Sequence, residues 1–377
     1  MGKWSGKFVI GLTGNIATGK SVVRRMLEHL GAYGIDADAL AHRAISKGAP
    51  GYQATLDQFG KWILDSQGEI DRARLASVVF NEPEALNHLE AIVHPLVEHA
   101  VDLMIQRASQ RVIVIEAIKL LEGTLGSQCD TIWVTYSPEE VQKDRLMRKR
   151  SMTADEALHR IRIQTPQDAK KAAANLVITN IGSFEETWQQ IVAGWKKLST
   201  TTDATPTVVK IADTAGLAVH RGRVRDIDAI SELITRLNTD PRPFGPDDVM
   251  AAFGEKAFLL LIDNETLVGL AGWQVENLVS RTTDLYLDPS VLPAQALKTL
   301  ISEVEKASTD LQCEAALVFL PPHLVVHVTT WKELGYERRT PHSLSVRAWQ
   351  EAAEESMPAN TVLLFKQLRV DRILRPI

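Results

Sequence analysis

At 377 residues, with 45% hydrophobic and 24% charged side chains, the chain has the make-up of a globular protein of two or three domains. A net charge of −5 argues against a nucleic-acid or polyanionic-membrane partner. The two distant cysteines, Cys129 and Cys313, argue against a disulfide framework and fit a reducing compartment. No apolar run approaches the ~18 residues of a membrane span, and the apolar segment after MGKWSGK is too short for a secretory signal. A cytoplasmic chain with no membrane contact is expected.

Residues 8–21 read FVIGLTGNIATGKS. The apolar run Phe8, Val9, Ile10 leads through Gly11 and Leu12 into a loop bearing Gly14 and Gly19, then Lys20 and Ser21. Apolar residues of helical period follow (Val22, Val23, Met26, Leu27, Leu30), closed by Gly31. Strand, G-x-x-x-x-G-K-S, helix is the context that marks a phosphate-cradling P-loop. Glycines let successive N–H groups turn inward and form an anion nest at the helix N-terminus. Gly14, Asn15, Ile16, Ala17, Thr18, Gly19, Lys20, Ser21 and Val22 are therefore the predicted ATP-binding segment. Lys20 would reach the β- and γ-phosphates, and the Ser21 hydroxyl would sit on Mg²⁺. The competing reading is chance: at ~7% glycine the bare pattern recurs in roughly one chain in a hundred of this length. The flanking strand and helix make chance rarer still.

Ala32 to Ile35 reads as a short second strand ending in Asp36-Ala37-Asp38. Carboxylates at the carboxyl edge of a parallel sheet sit where such folds bind ligands. Either could take a proton from a substrate hydroxyl or help hold Mg²⁺. The spacing equally allows Asp38 as the N-cap of the apolar-periodic run Leu40, Ala41, Ala44, Ile45. Residues 48–103 read as mainly helical, with His94-Pro95 marking a kink or a helix start. His94 reads as structural or functional. Val112 to Ile115 and Ile132 to Thr135 are β-branched apolar runs, the mark of buried parallel strands. Beyond Val141 the pattern turns basic with Lys143, Arg145, Arg148, Lys149 and Arg150, then Arg160 and Arg162. Such a run is a solvated helix face or, behind a P-loop, a lid whose arginines close over the phosphates. Leu176 to Ile178 is a last strand and Ser183 to Leu198 a last amphipathic helix.

These pieces resemble the dephospho-coenzyme A kinases over about residues 7–198. The likeness rests on GLTGNIATGKS, GIDADALAHRAI, His94-Pro95, KLLE at 119–122, DRLMRKRSMTADEALHRIRIQ and AANLVITNIGS. It implies an α/β P-loop kinase domain with a parallel sheet, a helical substrate-binding insertion and a lid. The implied reaction moves the ATP γ-phosphoryl group to the 3′-hydroxyl of the dephospho-CoA ribose, with ATP and Mg²⁺. Carried over by position, Asp38 is the base with Asp36 beside it, Lys20 and Arg145 act on the phosphates, and His94 lies near the acceptor substrate. Three departures stand out. The family's Pro-Leu-Leu-x-Glu is here Ile118-Lys119-Leu120-Leu121-Glu122, which places Lys119 among the acceptor-binding candidates. The second lid arginine falls on Lys149, and the usual aspartate before the last strand is Asn175. The remaining alternatives are another small-molecule or nucleotide kinase on the same scaffold, and an ATP-sensing binding protein.

Residues 199–206 (STTTDATP) read as a linker. Beyond it lie an expected strand at 218–224, a helix at 226–237 and a hairpin of 258–262 with 267–275 across Asp263-Asn264-Glu265. A strand at 284–287, a helix at 294–307, a strand at 315–320, a helix through Trp331 and a strand at 362–368 complete the order. That order, with GLAGW before LYLDP and the ELGYE turn at 333–337, resembles the GCN5-related N-acetyltransferases and implies an α+β domain over 207–377. Where that family binds acyl-CoA pyrophosphate on a glycine loop, this chain has Val291-Leu292-Pro293-Ala294-Gln295-Ala296-Leu297. Side chains and Pro293 would obstruct close backbone approach to phosphate, so a degenerate, non-catalytic domain is favoured over an active one. The oligomeric state stays open, a homo-oligomer included.

Overall fold

The computed structural model describes residues 3–79, 81–150, 152–199, 216–238 and 244–370. These form two compact units, residues 3–20 with 33–177 and residues 21–32 with 178–370. The expected linker lies outside the described residues, except that Ser199 is the last residue of the helix Phe184–Ser199.

The first sheet contains β1 (Phe8–Thr13), β2 (Tyr33–Asp36), β3 (Val112–Glu116), β4 (Thr131–Tyr136) and β5 (Leu176–Thr179), in the order β2-β3-β1-β4-β5. The β1–β3, β1–β4 and β2–β3 pairs are parallel. Every residue of β3 and all of β1 after Phe8 are buried, which is why these strands are continuous apolar runs rather than alternating ones. Register then does the placing. Leu12 and Asp36 both pair with Glu116, so the ends of β1, β2 and β3 reach one level at the carboxyl edge, where α/β sheets bind ligands.

Between β2 and β3 run the helices Ala37–Ala44, Tyr52–Phe59, Arg72–Val79 and Pro83–Arg107. Two readings that the spacing left open are decided here. The cap of Ala37–Ala44 is Asp36, whose carboxylate accepts from the Ala39 amide, so Asp38 lies in the first turn and is not the cap. His94-Pro95 does not begin a helix: the helix begins at Pro83, and Pro95 lies inside it. An internal proline costs ~3 kcal/mol. Buried Val93, Val97, Val101, Met104 and Ile105, at roughly 1.5–3 kcal/mol for each large apolar side chain, outweigh that loss.

The second sheet contains β6 (Leu217–Arg221), β7 (Ala257–Asp263), β8 (Thr266–Glu276), β9 (Val279–Leu287), β10 (Ala315–Leu320), β11 (Glu337–Arg338) and β12 (Val362–Gln367). Their order is β11-β12-β10-β9-β8-β7-β6. β9 and β10 run parallel, while β6–β7, β7–β8, β8–β9, β10–β12 and β11–β12 are antiparallel pairs. The expected hairpin turns through Asn264 and Glu265, both at positive φ (44° and 71°). β9 begins at Val279, five residues before the expected start. Its buried Ser280, Arg281 and Thr282 hide a strand from a hydrophobic reading. Ser280 and Arg281 are tolerated because Ser280 bonds Ser308 at 2.7 Å and Arg281 pairs with Glu355 at 3.4 Å. The expected strand at 218–224 ends at Arg221. Helices Pro246–Phe253 and Arg347–Ser356 were not among the expected elements; the second is held by Trp349, 1% exposed, against Val279, Phe319 and Leu363.

Candidate active site

The loop after β1 takes its shape from two glycines. Gly14 has φ +152°, and a Cβ there would meet the hydroxyl and the main-chain carbonyl of Thr135. Gly19 has φ +92°, in the region that L side chains avoid. Between them Ala17 is held at φ +60°, backbone strain of the kind that gathers at functional sites. Internal bonds keep the loop open-faced. Thr18, fully buried, bonds Asn15 O at 2.8 Å and Thr135 Oγ1 at 2.7 Å. Lys20 Nζ lies 3.3 Å from Asn15 O. Lys20, Ser21 and Val22 form the first turn of the helix Lys20–His29, so the loop delivers its amides, an ammonium and a hydroxyl at a helix N-terminus. That combination favours a polyphosphate.

Asp38 stands opposite. Its Oδ2 accepts from the Ile118 amide at 3.0 Å. Burial pushes its carboxyl pKa up, and the Lys20 ammonium, the Ile118 N–H and the Lys170 ammonium pull against that rise while Glu116 adds to it. A half-buried carboxylate with a raised pKa in the field of a P-loop lysine is equipped to accept a proton. The Ile118 amide is available because this chain carries Ile where the related pattern carries Pro, which has no N–H. On the other side of the residue, the Ile118 carbonyl accepts from Thr13 Oγ1 at 3.0 Å and Lys170 Nζ at 2.6 Å.

The basic stretch folds over the loop. In the helix Glu139–Arg150, Arg145 donates from one guanidinium nitrogen to Ala17 O at 3.0 Å and Ser137 Oγ at 3.1 Å. Partial burial lowers its pKa from the usual arginine value. The helix Ala154–Arg162 opens with a Thr153/Glu156 capping box and leads to residues 164–165. There Gln164 Oε1 accepts from the Ile16 amide at 2.8 Å, Thr165 O accepts from Asn15 Nδ2 at 3.0 Å, and Thr165 Oγ1 donates to Glu122 at 2.8 Å. The side chain of Lys149 lies outside the described residues.

Lys20, Asp38 and Arg145 thus converge on the loop. Asp36 is engaged as a helix cap. His94 is exposed on the helix Pro83–Arg107, and Lys119 is exposed and paired with Glu90 at 2.8 Å. Asn175 Oδ1 accepts from the Ile132 amide at 2.7 Å, a role that needs only an acceptor, so Asn serves where Asp is usual. Thr135, Gln164 and Lys170 also bear on the site and were not among the predicted residues. The R-I-x-x-Q spacing was a signal for Gln164; a lysine in a polar helix gave none.

Parallel sheet, glycine loop, helix start and opposed carboxylate define the P-loop phosphotransferase class. The family model described as dephospho-CoA kinase matches residues 8–186. The dephospho-CoA kinase of Carboxydothermus hydrogenoformans is 44% identical over 187 residues, 49% of this chain and 91% of that protein. A Thermus thermophilus crystal structure is 31% identical with TM-score 0.47, covering 51% of this chain and 98% of its own. A Staphylococcus aureus acetyltransferase structure of the GNAT family is 13% identical with TM-score 0.33, covering 41% and 99%. The chain belongs to the dephospho-CoA kinase family.

Proposed function

We propose that this chain transfers the γ-phosphoryl group of ATP to the 3′-hydroxyl of the ribose in dephospho-CoA, releasing ADP and coenzyme A. The observation that carries this reading is the half-buried Asp38 carboxylate in the field of Lys20, beside a loop shaped by Gly14 and Gly19. Asp38 takes the hydroxyl proton as the ribose oxygen forms its bond to phosphorus and the bond to the ADP oxygen breaks. The loop amides and Lys20 hold the β- and γ-phosphates, and Arg145 swings its charge onto the transferring group. Ser21 would hold Mg²⁺, which supplies further neutralisation of phosphate charge. Among the described residues no group of three or more His, Cys, Asp or Glu could hold a metal ion. His94, Lys119 and Asp36 are assigned to the acceptor side.

The C-terminal domain does not fit an acyl-CoA pyrophosphate. Its helix Pro293–Asp310 starts with a residue that has no N–H, after an exposed Leu292, and with no side-chain cap. We assign this domain no acetyl transfer. ATP consumption measured across acceptors tests the main reading: dephospho-CoA gives saturating dependence, and equal turnover with nucleoside monophosphates overturns it.

A further inference from the structure

Lys170 is an oddity of the site. It sits in a six-residue polar helix, Gln167–Ala172, yet is 2% exposed, where lysines are almost never found without a strong reason. Its neighbour Lys171 reaches outward to Asp168. Lys170 points inward instead, and its ammonium donates to Ile118 O at 2.6 Å. Burial lowers its pKa, Lys20 lowers it further, and Glu122 and Asp38 counteract this. A buried ammonium costs several kcal/mol unless partnered, and a salt bridge would be the usual remedy. Here the bond goes to a main-chain carbonyl.

That carbonyl belongs to the residue that grips the base. Asp38 holds the Ile118 N–H, while Lys170 and Thr13 hold the Ile118 C=O. The end of β3 is therefore pinned on both sides of one residue, with the carboxylate on one side and the ammonium on the other. The charged groups facing Asp38 are Lys20 from the loop, Glu116 from β3 and Lys170 from Gln167–Ala172. When Lys20 engages phosphate, Lys170 is the cation left to Asp38.

We propose that Lys170 is a positioning residue for this reaction: through the Ile118 peptide it fixes the direction in which the Asp38 carboxylate meets the acceptor hydroxyl. The inference rests on Asp38 being the base. A hydrogen-bonding network of this kind matters to rate because a displacement of about 1 Å at a reacting group costs on the order of 10²-fold.

The test is a double-mutant cycle in the full chain, with steady-state phosphorylation of dephospho-CoA at saturating ATP. K170M should lower kcat about 10- to 100-fold while KM for ATP stays within about two-fold, and K170R should recover most of the loss. In a D38N background, where there is no base left to direct, K170M should change the residual kcat by less than about two-fold. Independent, multiplying losses in the two backgrounds would overturn the proposal. So would a K170M effect confined to KM for dephospho-CoA, which would mean direct substrate contact. If K170M fails to fold by circular dichroism, K170A carries the same cycle, since it also removes the donor to Ile118 O. Full activity in D38N alone would instead overturn the base assignment, an outcome readable apart from any Lys170 result.

Discussion

Two helix starts in this chain face the same physical problem and solve it differently. Before the helix Lys20–His29 stand Gly14 and Gly19, both at positive φ, with a lysine and a serine opening the helix. Before Pro293–Asp310 stands an exposed leucine, and a proline, which has no N–H, opens the helix. Both helices present a positive dipole end. Only the first is preceded by glycines at positive φ, the backbone freedom with which a loop can turn successive amides towards an anion.

The sharpest way to break this contrast is at Lys20. Lys20→Ala should lower kcat by roughly 10³-fold or more with the circular dichroism spectrum unchanged; wild-type rates in a folded variant would remove the first helix start from the chemistry. Asp38→Asn follows, with an expected loss of about 10²–10⁴ in kcat and little change in KM for ATP, as removal of a general base predicts. Gly14→Ala tests the loop shape itself. The added Cβ meets Thr135, so ATP affinity measured by calorimetry should fall by about ten-fold or more.

A smaller effect comes from pH. Because burial raises the Asp38 pKa above 3.8, the carboxylate is lost to protonation earlier on acidification than an exposed one. The rate should therefore fall with decreasing pH, and the acid limb of kcat/KM should lie above 3.8. A limb at or below that value would contradict a half-buried base. The smallest effect is expected at the second helix start. Acetyl-CoA titrated into the full chain already saturated with dephospho-CoA should give no heat, and a saturable signal would restore an acyl-CoA site to the C-terminal domain.

Local patterns were readable wherever the physics is local. The strand–glycine–lysine–serine–helix run stated its own geometry, and β1 and β3 stated their burial by having no polar alternation. The Asn264-Glu265 turn was legible from polar residues between two apolar runs. The polar start of β9 was not legible, because Ser280 and Arg281 are acceptable inside through partners that include Ser308 and Glu355, 28 and 74 residues away. The spacing alone could not choose between a kink and a helix start at Pro95 for a similar reason, since the proline's cost is outweighed by packing that no short window contains.

What the amino-acid order determined by itself was therefore the phosphate loop, the parallel-sheet class and the short list containing Lys20, Asp38 and Arg145. Tertiary structure alone set the partners of Asp36 and Asp38, giving one carboxylate to the Ala39 amide and the other to the Ile118 amide. It also brought Lys170 to the far side of that peptide, 52 residues along the chain. Hydrogen bonds across such separations depend on strand register and helix docking, and neither is written in the spacing of neighbouring residues.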